Sequence, residues 1–167
     1  MIKTTNPKDI NFKSLFQLDD KVIVITGHKG LLGRAFSEAC KQFGAIVVGY
    51  DLPENDLTNK QDILNFKNSS IKKYGKIDGL VNCHWSKPDG FFDTVEDYTE
   101  ETWDEVMGCN LKGTFMMCKI IGKQMVENGG GNIVNIASTY SVVAPNHKIY
   151  DGIEQPLQSP ASYAASK

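Results

Sequence analysis

Short apolar runs alternate with longer amphipathic segments along this chain. Four runs rich in β-branched residues have the length of strands that are buried on both faces: Val22–Ile25, Ala45–Tyr50, Ile77–Asn82 and Asn132–Ala137. Between them, apolar residues recur at intervals of three and four, which predicts helices: Arg34–Phe43, Lys60–Tyr74 and a third that starts at about Thr99 and ends in Asn128–Gly131. Strands that alternate with helices predict an α/β fold, a doubly wound parallel sheet with helices on both faces.

The same spacing predicts which side chains of each helix face the core. On the first helix they are Phe36, Ala39, Cys40 and Phe43. On the second they are Ile63, Leu64, Phe66 and Ile71, with Gly75 at the helix end. On the third they are Trp103, Val106, Met107, Leu111, Phe115, Cys118 and Ile121. Thr99 and Thr102 are both suitable N-caps for the third helix.

A glycine-rich turn joins the first strand to the first helix. Gly27 can form the tight turn, Gly30 lets the backbone approach a pyrophosphate, and Gly33 lets the helix lie close to the strand. The N-terminus of the helix offers unpaired N–H groups to an anion. Three glycines also suit a purely structural strand-to-helix turn. We predict a dinucleotide site here, whose turn also includes Lys29, Leu31 and Leu32.

An acidic residue ends the second strand. Asp51 follows Gly27 by 24 positions, about where a carboxylate can accept both ribose hydroxyls of the adenosine half and repel a 2′-phosphate. Lys29 argues the other way, because it could face a phosphate. The chain has a single arginine, Arg34, and no basic residue directly follows Asp51. We therefore predict NAD rather than NADP as the cofactor.

The connection after Asp51 is short. Only Leu52–Asn55 separate it from Asp56, whereas a parallel crossover with its helix needs at least about 10 residues. We expect the usual helix between the second and third strands to be absent. Asp56 and Leu57 would then reach the adenine pocket directly.

Composition limits the class of protein. Hydrophobic residues make up 41% of the 167, charged residues make up 23%, and the net charge is −2, so nothing favours a nucleic-acid partner or a basic membrane-binding surface. No apolar run approaches the about 20 residues that span a bilayer, and the first residues lack the apolar core of a signal peptide, so we expect a cytoplasmic protein. The cysteines at 40, 83, 109 and 118 have no metal-ligand spacing, and we expect reduced packing residues and no metal.

Six motifs follow one another along the chain: Thr26–Gly33, Asp51, Asp56–Thr58, Asn110–Phe115, Asn132–Ser138 and Ser162–Lys167. In this order and spacing, the chain resembles the short-chain dehydrogenase/reductase (SDR) family from about residue 19 onward. The resemblance implies a single NAD-binding Rossmann domain over residues 1–167, with an N-terminal lead over 1–20. It also implies an oxidoreductase that interconverts a hydroxyl and a carbonyl on a small-molecule substrate.

Four residues would carry the chemistry. Tyr163 and Lys167 are four positions apart, which puts both on one face of a helix, and an ammonium near a phenol favours the phenolate. The resemblance implies that Tyr163 is the general acid or base and that Lys167 holds the nicotinamide ribose. It further implies that Ser138 binds the substrate oxygen and that Asn110 supports a water connected to the lysine.

The chain also departs from the family pattern. The glycines fall at the first, fourth and seventh positions after Thr26, which is closer to the extended members that act on nucleotide sugars. Where an Asn-Asn-Ala-Gly run is usual, Asn82 is followed by Cys83, His84 and Trp85. Trp85 would crowd the nicotinamide side unless the loop is displaced. We include Asn82 and His84 among the cofactor-binding candidates, although for His84 the favoured interpretation is a packed or solvated histidine.

A further departure lies between the catalytic serine and tyrosine. Ser138 and Tyr163 are 25 positions apart, about twice the family's usual spacing, so we predict an insertion over 139–160 at the mouth of the site. Its substrate-binding candidates are Tyr140, His147 and Tyr150. These stacking and hydrogen-bonding groups suit a sugar or nucleotide sugar. The insertion resembles a subgroup linked to bacterial surface-glycan and flagellin-glycan pathways, and the alternative is a surface loop with no ligand.

The sequence stops at Lys167, inside the helix that should carry Tyr163 onward. We therefore expect a C-terminally truncated chain whose sheet lacks its later strands, and both an active and an inactive chain remain open. Two alternatives remain open beside the oxidoreductase: an extended-type epimerase or dehydratase that uses bound NAD, and a non-catalytic dinucleotide-binding module. Family members commonly pair through the helices that contain Asn110 and Tyr163, which implies a homo-oligomer, a dimer or tetramer.

Overall fold

The computed structural model describes residues 11–150, 152 and 160–167. Its four strands, β1 (Val22–Thr26), β2 (Ile46–Tyr50), β3 (Gly79–Asn82) and β4 (Asn132–Asn135), form one parallel sheet in the order β2-β1-β3-β4. The four predicted strands are confirmed, each one or two residues shorter at an end except β1, which extends to Thr26. Because the strands are parallel, their carboxyl ends meet at one edge of the sheet.

Five helices and a wider helical segment surround the sheet. They are α1 (Leu31–Gln42), α2 (Lys60–Tyr74), α3 (Glu100–Val106), the π-helical segment Met107–Gly113, α4 (Thr114–Glu127) and α5 (Ala161–Ser166). Single turns of 3₁₀ helix occur at Phe12–Phe16, Thr139–Ser141 and His147–Tyr150.

Helix α2 shows why the predicted boundaries hold. The side chain of Asn59 accepts a hydrogen bond from the N–H of Gln61 at 2.9 Å, which caps the start. At the end, Gly75 adopts a left-handed conformation with φ 78° and donates its N–H to the carbonyl of Ile71 at 2.8 Å. The third predicted helix begins in the same way, with Thr99 as its cap.

Helices cover both faces of the sheet, as predicted. On one face, Phe36 and Cys40 of α1 pack against a buried cluster that includes Ile23 and Ile25 of β1. On the other face, side chains of α2 and α4 pack with β1 and β3 in the larger core, which comprises Val24, Tyr50, Leu57, Ile63, Phe66, Ile77, Leu80, Met117, Ile121 and Met125.

Part of the predicted helix faces was wrong. On α1, Ala39 and Phe43 are exposed rather than packed. On the third predicted helix, Trp103, Leu111 and Phe115 are exposed. The π-helical segment accounts for Leu111 and Phe115, whereas Trp103 lies in α3, before that segment. A π turn holds more residues than an α turn, so it rotates the following helix, and the buried positions of α4 become Met117, Ile121 and Met125.

The expectation that no helix lies between the second and third strands is wrong, because α2 connects β2 to β3. Residues 51–59 form turns without a helix, so α2 itself makes the crossover from β2 to β3. Within the described sheet, β2 is therefore an edge strand beside β1. This arrangement leaves the α1 side of β2 covered only by α1.

Candidate active site

The glycine turn lies where β1 ends at the carboxyl edge of the sheet. Gly27 has φ 64°, and a Cβ added to it would lie 2.8 Å from the backbone Cα of His84. A Cβ on Gly33 would lie 2.1 Å from the carbonyl oxygen of Gly27. Both positions exclude any side chain, as the phosphate-turn prediction requires. Gly30 is the N-cap of α1 and has no side chain to bond the first N–H groups. Those groups are free to meet an anion.

Asp51 lies beside this turn with both carboxylate oxygens held. One oxygen accepts the N–H of Lys29 at 2.9 Å, and the other accepts the N–H of Leu52 at 3.0 Å. The ammonium of Lys29 is directed away from the turn, because it donates to the carbonyl of Leu52 at 2.8 Å and forms an ion pair with Glu54. That contact holds the pKa of Glu54 below its usual value.

A cleft of about 370 Å³ connects the turn to the loop after β3. Its walls are Gly27, Gly30, Leu31, Leu32, Gly33, Asp51, Cys83, His84 and Trp85. The structure thus brings together most of the predicted cofactor residues. Trp85 does not fill the cleft but forms part of its wall, with its side chain half exposed.

Lys29 and three further predicted cofactor residues do not line the cleft. The side chain of Leu57 is buried in the larger core, so the expectation that it reaches an adenine pocket is wrong for its side chain. Asp56 stabilises a turn by accepting the N–H and hydroxyl of Thr58, both at 2.8 Å. Asn82 donates to the side chain of Asn135 at 2.8 Å and ties β3 to β4, while its own oxygen is buried without a hydrogen-bond partner among the described residues.

His84 is a packed histidine behind the cleft wall. Its Nδ1 lies 2.6 Å from the hydroxyl of Thr26, and its Nε2 lies 3.2 Å from both the carbonyl of Cys109 and the hydroxyl of Thr114. Burial is the main cause that lowers its pKa from 6.5 to about 4, with the nearby ammonium of Lys167 a lesser one. A neutral imidazole therefore connects the glycine turn to the π-helical segment.

The π-helical segment presents Asn110 to the site. Its side-chain oxygen accepts the N–H of Ser86 at 2.8 Å, and its nitrogen donates to the hydroxyl of Ser166 at 3.1 Å. The carbonyl of Asn110 accepts the hydroxyl of Thr114 at 2.6 Å rather than only a helical N–H. Asn110 thus links the loop after β3 to α5, and the wide turn positions it.

Helix α5 carries Tyr163 and Lys167 to the same edge of the sheet. The ring of Tyr163 packs edge-on against Trp85 and Phe91, with centroids 6.1 and 6.4 Å apart. The ammonium of Lys167 donates to the carbonyl of His84 at 3.2 Å, and burial lowers its pKa below the ordinary value. The lysine therefore lies against the loop that forms the cleft wall.

Ser138 follows β4 and caps the 3₁₀ turn Thr139–Ser141. Its hydroxyl accepts the N–H of Tyr140 at 3.2 Å. This turn packs against α5, so Ser138 and Tyr163 belong to neighbouring elements. Of the substrate-binding candidates, Tyr140 is half-buried beside Ser138, whereas the side chains of His147 and Tyr150 lie outside the described residues.

The motif analysis missed three groups that shape the site. Phe91 packs on Tyr163, Thr26 bonds His84, and Ser166 bonds Asn110. Thr26 and Ser166 lie inside motifs, so the sequence offered their hydroxyls as candidates, but no local pattern predicts Phe91.

The four cysteines are free, as expected, and burial raises the pKa of Cys109 to about 11. In the described part of the chain, no group of three potential ligands could hold a metal, and no helix is long and apolar enough to cross a membrane.

Comparison with known proteins identifies the family. The sequence profile of the short chain dehydrogenase family matches residues 52–151, more than half of the chain. The chain therefore belongs to that family, and the resemblance drawn from its motifs is confirmed. The matched range lies between the glycine turn and α5, so it includes Asn110 and Ser138 but neither Gly27 nor Tyr163.

Individual relatives extend the similarity beyond this range. The chain is 38% identical over 151 residues to the NAD-dependent glycerol dehydrogenase of Listeria innocua, covering 80% of this chain and 58% of the relative. It is 29% identical over 161 residues to the D-threitol dehydrogenase of Mycolicibacterium smegmatis, covering 84% and 61%. A crystal structure of NAD⁺-bound xylitol dehydrogenase superimposes with a TM-score of 0.76 at 25% identity, covering 90% of this chain and 60% of that one. The chain thus spans about three fifths of the length of these relatives.

Proposed function

We propose that this chain carries the cofactor cleft and catalytic residues of an NAD(H)-dependent oxidoreductase that interconverts a hydroxyl and a carbonyl on a polyol or sugar. The observation that carries the proposal is the cleft itself, in which side-chain-free glycines, the uncapped start of α1 and Asp51 line one surface. The relatives named for glycerol, threitol and xylitol support a small polyhydroxylated substrate.

The residues fit a dinucleotide in three respects. The glycine turn is tight, as the dinucleotide motif requires, because a Cβ at Gly27 or Gly33 would collide with backbone atoms. Asp51 is held by two backbone N–H groups at the cleft rim, where a carboxylate suits ribose hydroxyls and opposes a 2′-phosphate. The start of α1 at Gly30 has no side-chain cap and borders the same cleft, where its N–H groups suit a pyrophosphate. NAD, when bound, supplies or accepts the hydride.

The remaining roles belong to the chain's own side chains. Tyr163 exchanges the proton of the substrate oxygen, and its ring is held by Trp85 and Phe91. Ser138 donates a hydrogen bond to that same oxygen. Lys167 donates to the carbonyl of His84 beside the cleft and, by burial, is less firmly protonated than a surface lysine. Asn110 supports a water that passes protons toward Lys167.

The alternative functions receive less support. An epimerase or dehydratase with bound NAD was suggested by glycine spacing alone, and the named relatives are dehydrogenases. A non-catalytic binding module would not need Tyr163 and Lys167 next to Asn110. The assignment to a glycan pathway rests on the insertion over 139–160, and nothing among the relatives named above bears on it.

We also propose a homo-oligomer. A stripe of exposed apolar side chains runs along α3, the π-helical segment and α4, and it comprises Trp103, Leu111 and Phe115. Leu111 and Phe115 of this stripe border a surface hollow together with Met107. They lie on or next to the helical segment that contains Asn110, which is one of those that commonly pair in the family. Light scattering tests this proposal: Leu111→Glu should give monomers, and an unchanged mass would contradict it.

The experiment for the cofactor is a calorimetric titration of the chain with NADH and NADPH. We expect NADH to bind more tightly than NADPH. Asp51→Ala should weaken the binding of NADH about tenfold and reverse the preference between the two cofactors. Leu52→Ala is the matched control, because only its backbone touches Asp51. If neither cofactor binds, the dinucleotide proposal fails. If NADH binds, glycerol, threitol and xylitol are assayed as substrates with NAD⁺ by the absorbance of the NADH formed.

A further inference from the structure

A second cavity lies on the α1 side of edge strand β2. It has a volume of about 580 Å³ and is separated from the dinucleotide cleft by the turn at His28 and Lys29. The residues that line it, here called the basic groove, are His28, Lys29, Arg34, Ser37, Glu38, Lys41, Val47 and Gly49. Only Lys29 of these belongs to the predicted cofactor residues.

The groove exists because of how α1 lies on an edge strand. Arg34, Ser37, Glu38 and Lys41 recur at intervals of three and four, so they share one face of α1. Val47 and Gly49 of β2 form the floor. The ring of His28 occupies the space above Gly49, where an added Cβ would lie 2.4 Å from ring atoms. Glycine at this position therefore lets the ring close one end of the groove.

The charges in the groove are unbalanced. Arg34 and Lys41 have no carboxylate within ion-pair distance among the described residues. Lys29 is paired with Glu54, and the single acidic lining residue, Glu38, accepts a hydrogen bond from Gln42 at 2.9 Å. Arg34 is also the only arginine among the 18 basic residues of the chain. A guanidinium is the side chain best suited to bind phosphate with two parallel hydrogen bonds.

A buried hydroxyl gives independent evidence of a ligand. Ser37 is 8% exposed, and its Oγ has no hydrogen-bond partner within the described ranges. A buried hydroxyl that is not bonded costs free energy, and such groups in proteins are nearly always satisfied by a partner, a water or a ligand. Ser37 lies on the groove face of α1 between Arg34 and Lys41, so an anion held by the two cations would also be near this donor.

We propose that the basic groove binds a phosphate monoester, whose phosphate is held by Arg34 and Lys41 and accepts a hydrogen bond from Ser37. The volume leaves room for the organic part of a small phosphorylated molecule. Such a phosphate could belong to a separate metabolite or to the 2′-phosphate of NADP(H) reaching across the His28 turn. Asp51 stands at that turn and opposes the second source.

Titration with inorganic phosphate and with a sugar phosphate, followed by NMR, tests the proposal. Arg34→Gln and Lys41→Gln should each weaken binding about tenfold, the loss expected for one charge-assisted contact. Glu38→Gln should tighten binding about threefold, because it removes the one negative charge from the same helix face. Lys123→Gln is the matched control, since this exposed lysine lies on α4. It should change binding less than twofold.

Repeating the titration with saturating NADH separates the sources. Binding that persists with NADH supports a separate metabolite, and binding that NADPH alone displaces supports the 2′-phosphate. The proposal is overturned if phosphate does not bind at 10 mM, about the weakest affinity of interest, if NADH itself displaces the phosphate, or if Arg34→Gln and Lys41→Gln bind like the control. The phosphate titrations of the chain and its variants do not need NADH to bind, so failure of the cofactor proposal leaves them interpretable, and only the separation of the two sources depends on it.

Discussion

The candidate site has two sides that are built differently. The inner side comprises the turn Thr26–Gly33, residues 83–84 and Asn110, and it lies at the ends of central strands. Thr26, His84 and Asn110 are 0, 6 and 2% exposed. Thr26 bonds His84, and the hydroxyl of Thr114 connects His84 to the carbonyl of Asn110. The outer side comprises Ser138 and Tyr163. Ser138 follows β4, whose four residues are all exposed, and its hydroxyl makes a local hydrogen bond with the N–H of Tyr140.

The difference follows from position in the sheet. β1 and β3 each pair with two neighbours, whereas β4 pairs with one within the described sheet. A buried polar group has to be satisfied by other elements, so the inner side is fixed by contacts distant in sequence. We therefore expect substitutions on the inner side to cost stability, and substitutions on the outer side to cost chemistry while leaving the fold intact.

The largest expected effect is on catalysis. Tyr163→Phe should lower turnover about 1,000-fold, or about 4 kcal/mol, because the proton donor is lost while the ring contacts with Trp85 and Phe91 remain. The free energy of unfolding should change by less than about 0.5 kcal/mol. Tyr98→Phe, which loses a hydrogen bond of 2.5 Å to Ser162, is the control and should keep turnover within about threefold. Equal losses in both variants would contradict the role of Tyr163.

Gly33→Ala tests the inner side directly. The added methyl would lie 2.1 Å from the carbonyl oxygen of Gly27 and 2.6 Å from the Cα of His28, so the turn has to move. We expect a loss of about 3 kcal/mol in urea unfolding together with loss of NADH binding. Gly122→Ala is the matched control in α4, where the nearest atom is the end of the Ile133 side chain at 3.4 Å. It should be neutral or gain up to about 1 kcal/mol. A Gly33 variant as stable as this control would show that the inner side is less rigid than proposed.

His84 should make stability depend on pH. The unfolded chain protonates this imidazole near 6.5, but the folded protein does so only near pH about 4. Stability from His84 is therefore fully present above pH about 6.5 and falls by up to about 3 kcal/mol as pH drops to about 4. Urea unfolding at pH 7 and 4.5 should give a smaller difference for His84→Asn. The NMR titration of the His84 ring in the unmodified chain gives the pKa directly, and a value near 6.5 would refute the prediction.

The smallest expected effect on stability is on the outer side. Ser138→Ala removes the hydrogen bond to the N–H of Tyr140, at 3.2 Å, from an exposed single turn. We expect less than about 0.5 kcal/mol of destabilisation, measured by thermal unfolding, together with a clear fall in turnover. Thr99→Ala removes the equivalent cap of α3, at 3.1 Å, and should cost about 1 kcal/mol without affecting chemistry. The reverse order of the two stability losses would break the comparison between the sides.

Local patterns were sufficient for most of the fold. The strands, the start and end of α2, and the cap at Thr99 follow from spacing and end residues, which act over a few positions. Phe43, Leu111 and Phe115 were predicted to face the core but are exposed. The burial of a helix position also depends on a π turn within the helix and on which elements pack against it. For the site, motif order identified the family, whereas Leu57 shows that a motif position does not fix where a side chain points.

The sequence by itself determined the order of strands and helices, the glycine turn and the presence of Asp51 beside it, because each depends on backbone conformation or periodicity within one segment. Only the tertiary structure decided that His84 is a buried link between Thr26 and the π-helical segment, and that Arg34, Ser37 and Lys41 border an open groove. Those outcomes depend on which segments pack together. A side chain's burial, charge state and partners are set by residues far away in the chain.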